Sequence, residues 1–266
     1  MRRRRDEKIL RPVHANAGIR AAYRAKLCAI VDEMARSYGY WIKAGYRANP
    51  PRMALDAPPA QELRRDLRLL GKRWQDRIDE AAPRLALWFL KSTAKRSDDA
   101  LRSILRKGGW SVRFSLTPEL RDVMIANVEA NVSLIKSIGS EYHSEVEGLV
   151  MRSVAAGRDL KQLTEDLEDR YDITRRRAEL IAVDQNNKAT SQLQRTRQLG
   201  VGIEEGVWLH SHAGKQPRPT HVANHGKRFD LRTGWFDPDP KVREHIWPGW
   251  LIHCGCTWKP VVKGFS

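Results

Sequence analysis

Between Trp208 and Cys256 the chain gathers six of its eight histidines and two of its three cysteines, interleaved with Trp, Pro and Gly. The stretch opens with Trp208, His210 and His212, continues through Arg218-Pro219-Thr220-His221 and Asn224-His225-Gly226, and closes with Pro248-Gly249-Trp250-Leu251-Ile252-His253-Cys254-Gly255-Cys256. Thiolate and imidazole donors this close together in a short, loop-rich segment suit a borderline-soft ion, and zinc is the expected cofactor. Cys254, Cys256 and His221 are the expected ligands, with His212 or His225 as the fourth. A filled four-ligand site of this type is structural, because no position is left open for a substrate. The same residues admit a second chemistry. His221 and Asn224-His225 resemble a nuclease arrangement, with a histidine base and a metal on the phosphate. A magnesium site would need carboxylates, and Asp230, Asp237 and Asp239 stand beside Pro and Gly, where turn formation accounts for them. Asp184 and Glu179 read as ion-pair partners of Arg175 to Arg177 rather than as an acid/base couple. Trp235, Trp247, Trp250 and Trp258 read as the core of a small module and its contact with a neighbouring chain.

The elements that must position these residues are mostly helical. Residues 19–46 follow a helical pattern interrupted around Gly39 and Gly45, and a second helix is expected over 61–107, with Leu63, Leu67, Leu70 and Trp74 on one face. Trp110 to Leu116 alternates like a short strand or extended linker. Thr117-Pro118 then opens a long helix as N-cap and first helical residue. Met124, Val128, Asn131, Ile135, Ile138, Tyr142, Val146 and Leu149 line one seam of this helix, over about 45 Å. Leu160, Leu163, Leu167 and Tyr171 mark a shorter helix, and Thr174 caps another that Gly200 and Gly202 end. The expected architecture is mainly α: a helical body with a long spine helix and a small C-terminal α+β, metal-stabilised module. Its expected parts are a basic arm (1–14), a basic helical region (15–116), a helical core (117–200) and the His/Cys/Trp-rich module (201–266).

The formal charge is +16, from 48 basic and 32 acidic residues. Residues 1–114 hold 27 of the basic but only 12 of the acidic residues. A polyanion partner follows, since each neutralised phosphate releases counterions. The candidate phosphate contacts are Arg2, Arg3, Arg4, Arg5, Arg64, Arg65, Arg68, Lys72 and Arg73. Nothing approaches the roughly 18–20 apolar residues of a membrane span. The basic start lacks the apolar stretch of a secretory signal. Three cysteines, two of them one residue apart, make no disulfide framework and fit a reducing cytoplasm.

From Asn131 onward the chain resembles the phage Mu protein F-like family of minor head, or head-morphogenesis, proteins. The matching strings are Asn131-Val-Ser-Leu134-Ile135 to Ile138 with Tyr142, the Gly157 turn, Arg177-Ala178 to Ile181-Ala182 with Asp184, and Gly200-Val201 with Trp208. Arg218-Pro219-x-His221, Gly226, Phe229, Pro248-Gly249 and Cys254-x-Cys256 complete the set, which covers about residues 117–262. Two departures stand out: Ala213-Gly214-Lys215 replaces a frequent Asp, and Leu251 occupies the place of a frequent His. The resemblance implies a non-enzymatic virion component, made in the host cytoplasm and lodged inside the head near the portal. It would contact packaged double-stranded DNA without sequence preference, the portal, and the major capsid or scaffold protein, and aid head assembly or genome delivery. A metal-dependent nuclease or toxin-like effector using the histidine cluster is the alternative.

Overall fold

The computed structural model describes residues 7–48, 59–157, 159–212 and 216–263. Four long helices dominate: α1 (Ala17–Ala48), α2 (Pro59–Gly108), α3 (Pro118–Ala155) and α4 (Leu160–Gly200). Their starts have local causes. The Asn16 side chain accepts the Ile19 N–H at 2.9 Å, Thr117 Oγ1 accepts that of Leu120 at 3.3 Å, and Asp159 Oδ1 accepts those of Lys161 and Gln162 at 2.8 and 3.1 Å. Each cap satisfies N–H groups that the first helical turn leaves without a partner.

Two expected breaks are absent. α1 runs through Gly39 and Gly45, and α4 is a single helix rather than two. Thr174 does not cap: its hydroxyl donates to the Arg170 carbonyl at 3.0 Å within the helix, and the residue is buried. Trp110 to Leu116 forms no strand; it is an extended linker, with Trp110 and Phe114 packed against a core.

The remaining elements are β1 (Glu7–Ile9), β2 (Glu205–Leu209), α5 (Pro219–Ala223), β3 (Arg228–Asp230), β4 (Trp235–Asp237), β5 (Glu244–Ile246) and β6 (Thr257–Lys263). They make an antiparallel four-stranded sheet in the order β1-β6-β2-β3 and a separate β4-β5 hairpin. Part of the expected N-terminal arm is therefore a strand, with Ile9 opposite Val261. Arg2 to Arg5 lie outside the described residues.

The chain divides into two compact units whose limits differ from the expected boundaries at 14, 116 and 200. The first unit comprises Met1–Ala21, Trp88–Val128 and Val183–Ser266; the second comprises Ala22–Leu87 and Glu129–Ala182. In the first, Leu10, Val13, Leu101 and Leu105 share one core with Ile203, Trp208, Phe229, Leu231, Ile246, Cys254, Cys256 and Trp258. In the second, α3 buries Asn131, Ile135, Ile138, Tyr142, Val146 and Val150. From Asn131 to Val146 this is the expected seam; Val150 rather than Leu149 continues it, and upstream Met124 and Val128 are only half-buried while Asn127 is buried. The helices approach closely there: a Cβ on Gly139 would lie 2.4 Å from Ile78 Cδ1.

Candidate metal centre

His221 sits on α5, a single turn started by Pro219, which needs no N–H donor at the first helical position. Cys254 and Cys256 come from the loop that feeds β6. All three side chains are buried, at 2%, 3% and 7% exposure, so the centre offers a solute no open face. His221 Nδ1 lies 3.5 Å from Cys254 Sγ and 3.7 Å from Cys256 Sγ. A tetrahedral zinc with Zn–S of about 2.3 Å and Zn–N of about 2.0–2.1 Å has N···S edges of about 3.5–3.6 Å. Both N···S distances thus already match tetrahedral edges, all three donor atoms lie within 4.8 Å of one another, and they fit the ion. No fourth His, Cys, Asp or Glu among the described residues joins the group.

The other nitrogen of His221 faces a buried carboxylate. Nε2 lies 3.2 Å from Asp237 Oδ2 at the end of β4, and Asp237 is fully buried. The contact is a close approach of charge and dipole without hydrogen-bonding geometry, and neither buried atom has a hydrogen-bond partner. A proton on Nε2 facing that carboxylate leaves the Nδ1 lone pair directed at the sulfurs, the arrangement that orients metal-binding histidines. The sulfurs accept backbone N–H groups as well, that of Gly249 reaching Cys254 Sγ at 3.4 Å. Hydrogen bonding from the Cys256 thiol, aided by His221, holds the Cys254 thiol well below its ordinary range, while the same bond and burial push Cys256 up. The pair therefore favours one thiolate even before an ion removes the second proton.

α4 holds the cysteine loop. Asp184 Oδ1 accepts the His253 N–H at 2.7 Å, and Asn187 Nδ2 donates to the Cys254 carbonyl at 3.2 Å. From the other side, Arg218 donates to the Ile252 carbonyl at 3.0 Å. Gly249 has φ +81°, and a Cβ there would stand 3.3 Å from the Asn187 carbonyl oxygen and 3.4 Å from that of Cys256. Burial raises the Asp184 carboxyl above its usual range, against the His253 N–H it accepts. Asp184 thus serves the loop rather than Arg175 to Arg177: Arg175 pairs with Asp32 and Glu179, and Arg177 with Glu141.

His212 and His225 are not in this centre. They form a separate edge-to-face group with His210, successive ring centroids 4.8 and 5.2 Å apart. His225 Nδ1 accepts the His210 N–H and His210 Nδ1 that of His212, each at 3.1 Å, so these lone pairs secure the turn after β2. Asp230 and Asp239 accept backbone N–H groups of the turns that follow them. Trp258 is buried, and Trp235, Trp247 and Trp250 pack against the core, with Arg195 4.0 Å over Trp247 and Lys188 5.2 Å over Trp250.

Among the candidate phosphate contacts, Arg64 and Arg68 both pair with Glu147, at 2.8 and 3.5 Å. Arg65 lies 3.7 Å from Asp66, whereas Lys72 and Arg73 are exposed, with no acidic partner among the described residues. Among the described residues no helix is long and apolar enough to cross a membrane.

Comparison with known proteins finds a family match that spans this centre. Residues 144–259 match the family described as Phage Mu protein F like protein. The Asn131–Tyr142 string lies upstream of that match. A Haemophilus influenzae (strain ATCC 51907 / DSM 11121 / KW20 / Rd) protein, described as uncharacterized, is 30% identical over 146 residues, which are 55% of this chain and 31% of the relative. The chain thus spans about a third of the length of the curated relative it matches. No solved structure matches. The match over residues 144–259, which include His221, Asp237 and both cysteines, makes this part of the chain similar to the phage Mu protein F-like family.

Proposed function

We propose that the chain is a minor head protein of a phage virion, placed inside the head near the portal and acting in head morphogenesis or genome delivery. The observation that carries this reading is the family match over 144–259, which spans the buried His221, Cys254 and Cys256 cluster. Arg218, Asp184 and Gly249 fix the loop that presents Cys254 and Cys256, and His221 completes the donor set. Bound there, zinc would supply structure: it would tie α5 to the start of β6 and neutralise the buried thiolates. Burial of every ligand supports a non-enzymatic role, since a substrate has no approach. The high positive charge supports contact with packaged double-stranded DNA, and the portal and the major capsid or scaffold protein are the proposed protein partners.

The test is genetic and compositional. Heads assembled without the chain should be defective in assembly or DNA delivery, and wild-type heads should contain it in few copies beside the portal. Normal infectious heads formed without the chain would refute the reading. The alternative, a metal-dependent nuclease or effector, predicts metal-stimulated cleavage of duplex DNA by the purified chain. The occupied turn carboxylates and the buried His221 argue against it.

A further inference from the structure

The two units do not share the positive charge evenly, and the fold distributes it differently from the linear order of the chain. The second unit combines the basic 22–87 segment with the acidic 129–182 segment, giving 21 basic against 19 acidic residues. The first unit holds 27 basic against 13 acidic residues, a net +14. Many of those acids are already engaged: Glu7 and Glu205 with Arg228, Asp98 with Arg197, Glu204 with Arg232, Asp184 with the His253 N–H and Asp237 with His221.

Within this unit the cations of α2 are ordered. Lys91, Lys95, Arg102 and Arg106 are all exposed. At about 100° per residue they fall within an arc of about 60°, and they extend over about 22 Å of helix. Lys91, Lys95 and Arg106 have no acidic partner among the described residues. Arg102 makes a surface pair with Asp99 at 3.0 Å and lies 5.5 Å over the Phe114 ring. No aromatic side chain of α2 is exposed along the stripe, so it offers charge without a platform for stacking bases.

We infer that Lys91, Lys95, Arg102 and Arg106 form the surface on which the phosphate backbone of duplex DNA lies. The inference rests on the proposed contact with packaged DNA and assigns it to α2 of the first unit. Three or four phosphate contacts along one straight helix, without base readout, give sequence-independent and strongly salt-dependent binding.

The test uses the full chain and a fluorescent 30-base-pair duplex, read by anisotropy across a salt series. Changing Lys91, Lys95 and Arg106 together to Glu should weaken binding at least tenfold and reduce the log–log salt slope by about 3, at about 0.9 per lost contact. The control carries the same charge change in the second unit, at the exposed Arg24→Glu with Arg36→Glu and Arg47→Glu, and should retain most of the affinity. A triple change of the stripe to Gln, with the far-ultraviolet spectrum unchanged, separates lost contacts from repulsion. Equal weakening by the control, or no weakening by either stripe variant, overturns the inference. So does polyglutamate binding to wild type as tightly as the duplex, which would mark the stripe as a site for an acidic protein face. If wild type does not bind the duplex in low salt, the DNA contact itself fails, separately from its placement.

Discussion

His221 faces the two cysteine sulfurs with one ring nitrogen and the Asp237 carboxylate with the other, 3.2 Å away. With a proton on Nε2 facing the carboxylate, the Nδ1 lone pair is the one a metal meets. Asp237→Ala should therefore leave every ligand in place yet lower zinc affinity by about 10–100-fold, as measured by competition with a chromogenic chelator. An unchanged affinity would reduce Asp237 to a turn residue. Cys256→Ser should abolish stoichiometric metal outright, and the cobalt-substituted protein should lose its sulfur-to-metal absorption; retention of both would exclude this centre. The cysteines and His221 were readable in the sequence because their donor chemistry is written in residue type. Asp237 was not: beside Pro238 it looks like any turn carboxylate, and only the β4-β5 hairpin turns it inward. His212 and His225 match the other donors in type, but the backbone commits the Nδ1 lone pair of His225 to a turn and places His212 in the same ring group.

At the scale of elements, α4 is both core helix and clamp. Asp184, Asn187 and the carbonyl that faces Gly249 lie within one turn of it, so the cysteine loop is tied to a single stretch of helix. Gly249→Ala should strain both the left-handed backbone and the contact with α4, at a cost of about 1–2 kcal/mol. The expected readout is a lower chelator concentration for half-release of the metal, and an unaltered release curve would contradict the clamp. In the second unit, Glu147 joins α3 to α2 through Arg64 and Arg68. The hydrogen bond from Arg64, and then the charge of Arg68, hold its carboxyl below the ordinary range. Its contribution is therefore present above the unfolded-state pKa and is lost as pH falls through the depressed one. Glu147→Gln should lower stability at neutral pH by no more than about 1 kcal/mol and flatten the acid limb of a stability–pH profile. A parallel shift at all pH values would show that packing, not charge, is what Glu147 supplies. Helix existence was legible here through periodicity, as were the caps at Thr117 and the stop at Gly200. The continuity of α4 was not, because a threonine inside a helix and one at its start look alike until the hydroxyl finds its acceptor.

At the scale of the whole molecule, the metal module is not the self-contained C-terminal domain that composition suggested. Its core takes Leu10 and Val13 from the N-terminal segment and Leu101 and Leu105 from α2, and its sheet ends with β1 against β6. No local pattern announces a pairing between Ile9 and Val261, since three residues of strand carry no periodicity and their partner is almost the full chain away. The consequence concerns what metal removal unfolds. If the ion held only a terminal module, chelation would expose amides from about residue 203 onward and nothing else. With a shared core, losing the tie between α5 and β6 loosens Trp208, Trp258 and Ile246, and the N-terminal strand and the 101–105 turn of α2 lose the surface they pack on. Hydrogen exchange on the full chain after chelation should therefore show faster exchange at residues 7–13 and 101–105 together with β2 and β6. Residues 135–146, in the core of the second unit, provide the internal reference and should keep their protection. Acceleration confined to residues 203–263 would restore the self-contained module, and readdition of zinc should reverse whatever pattern is found.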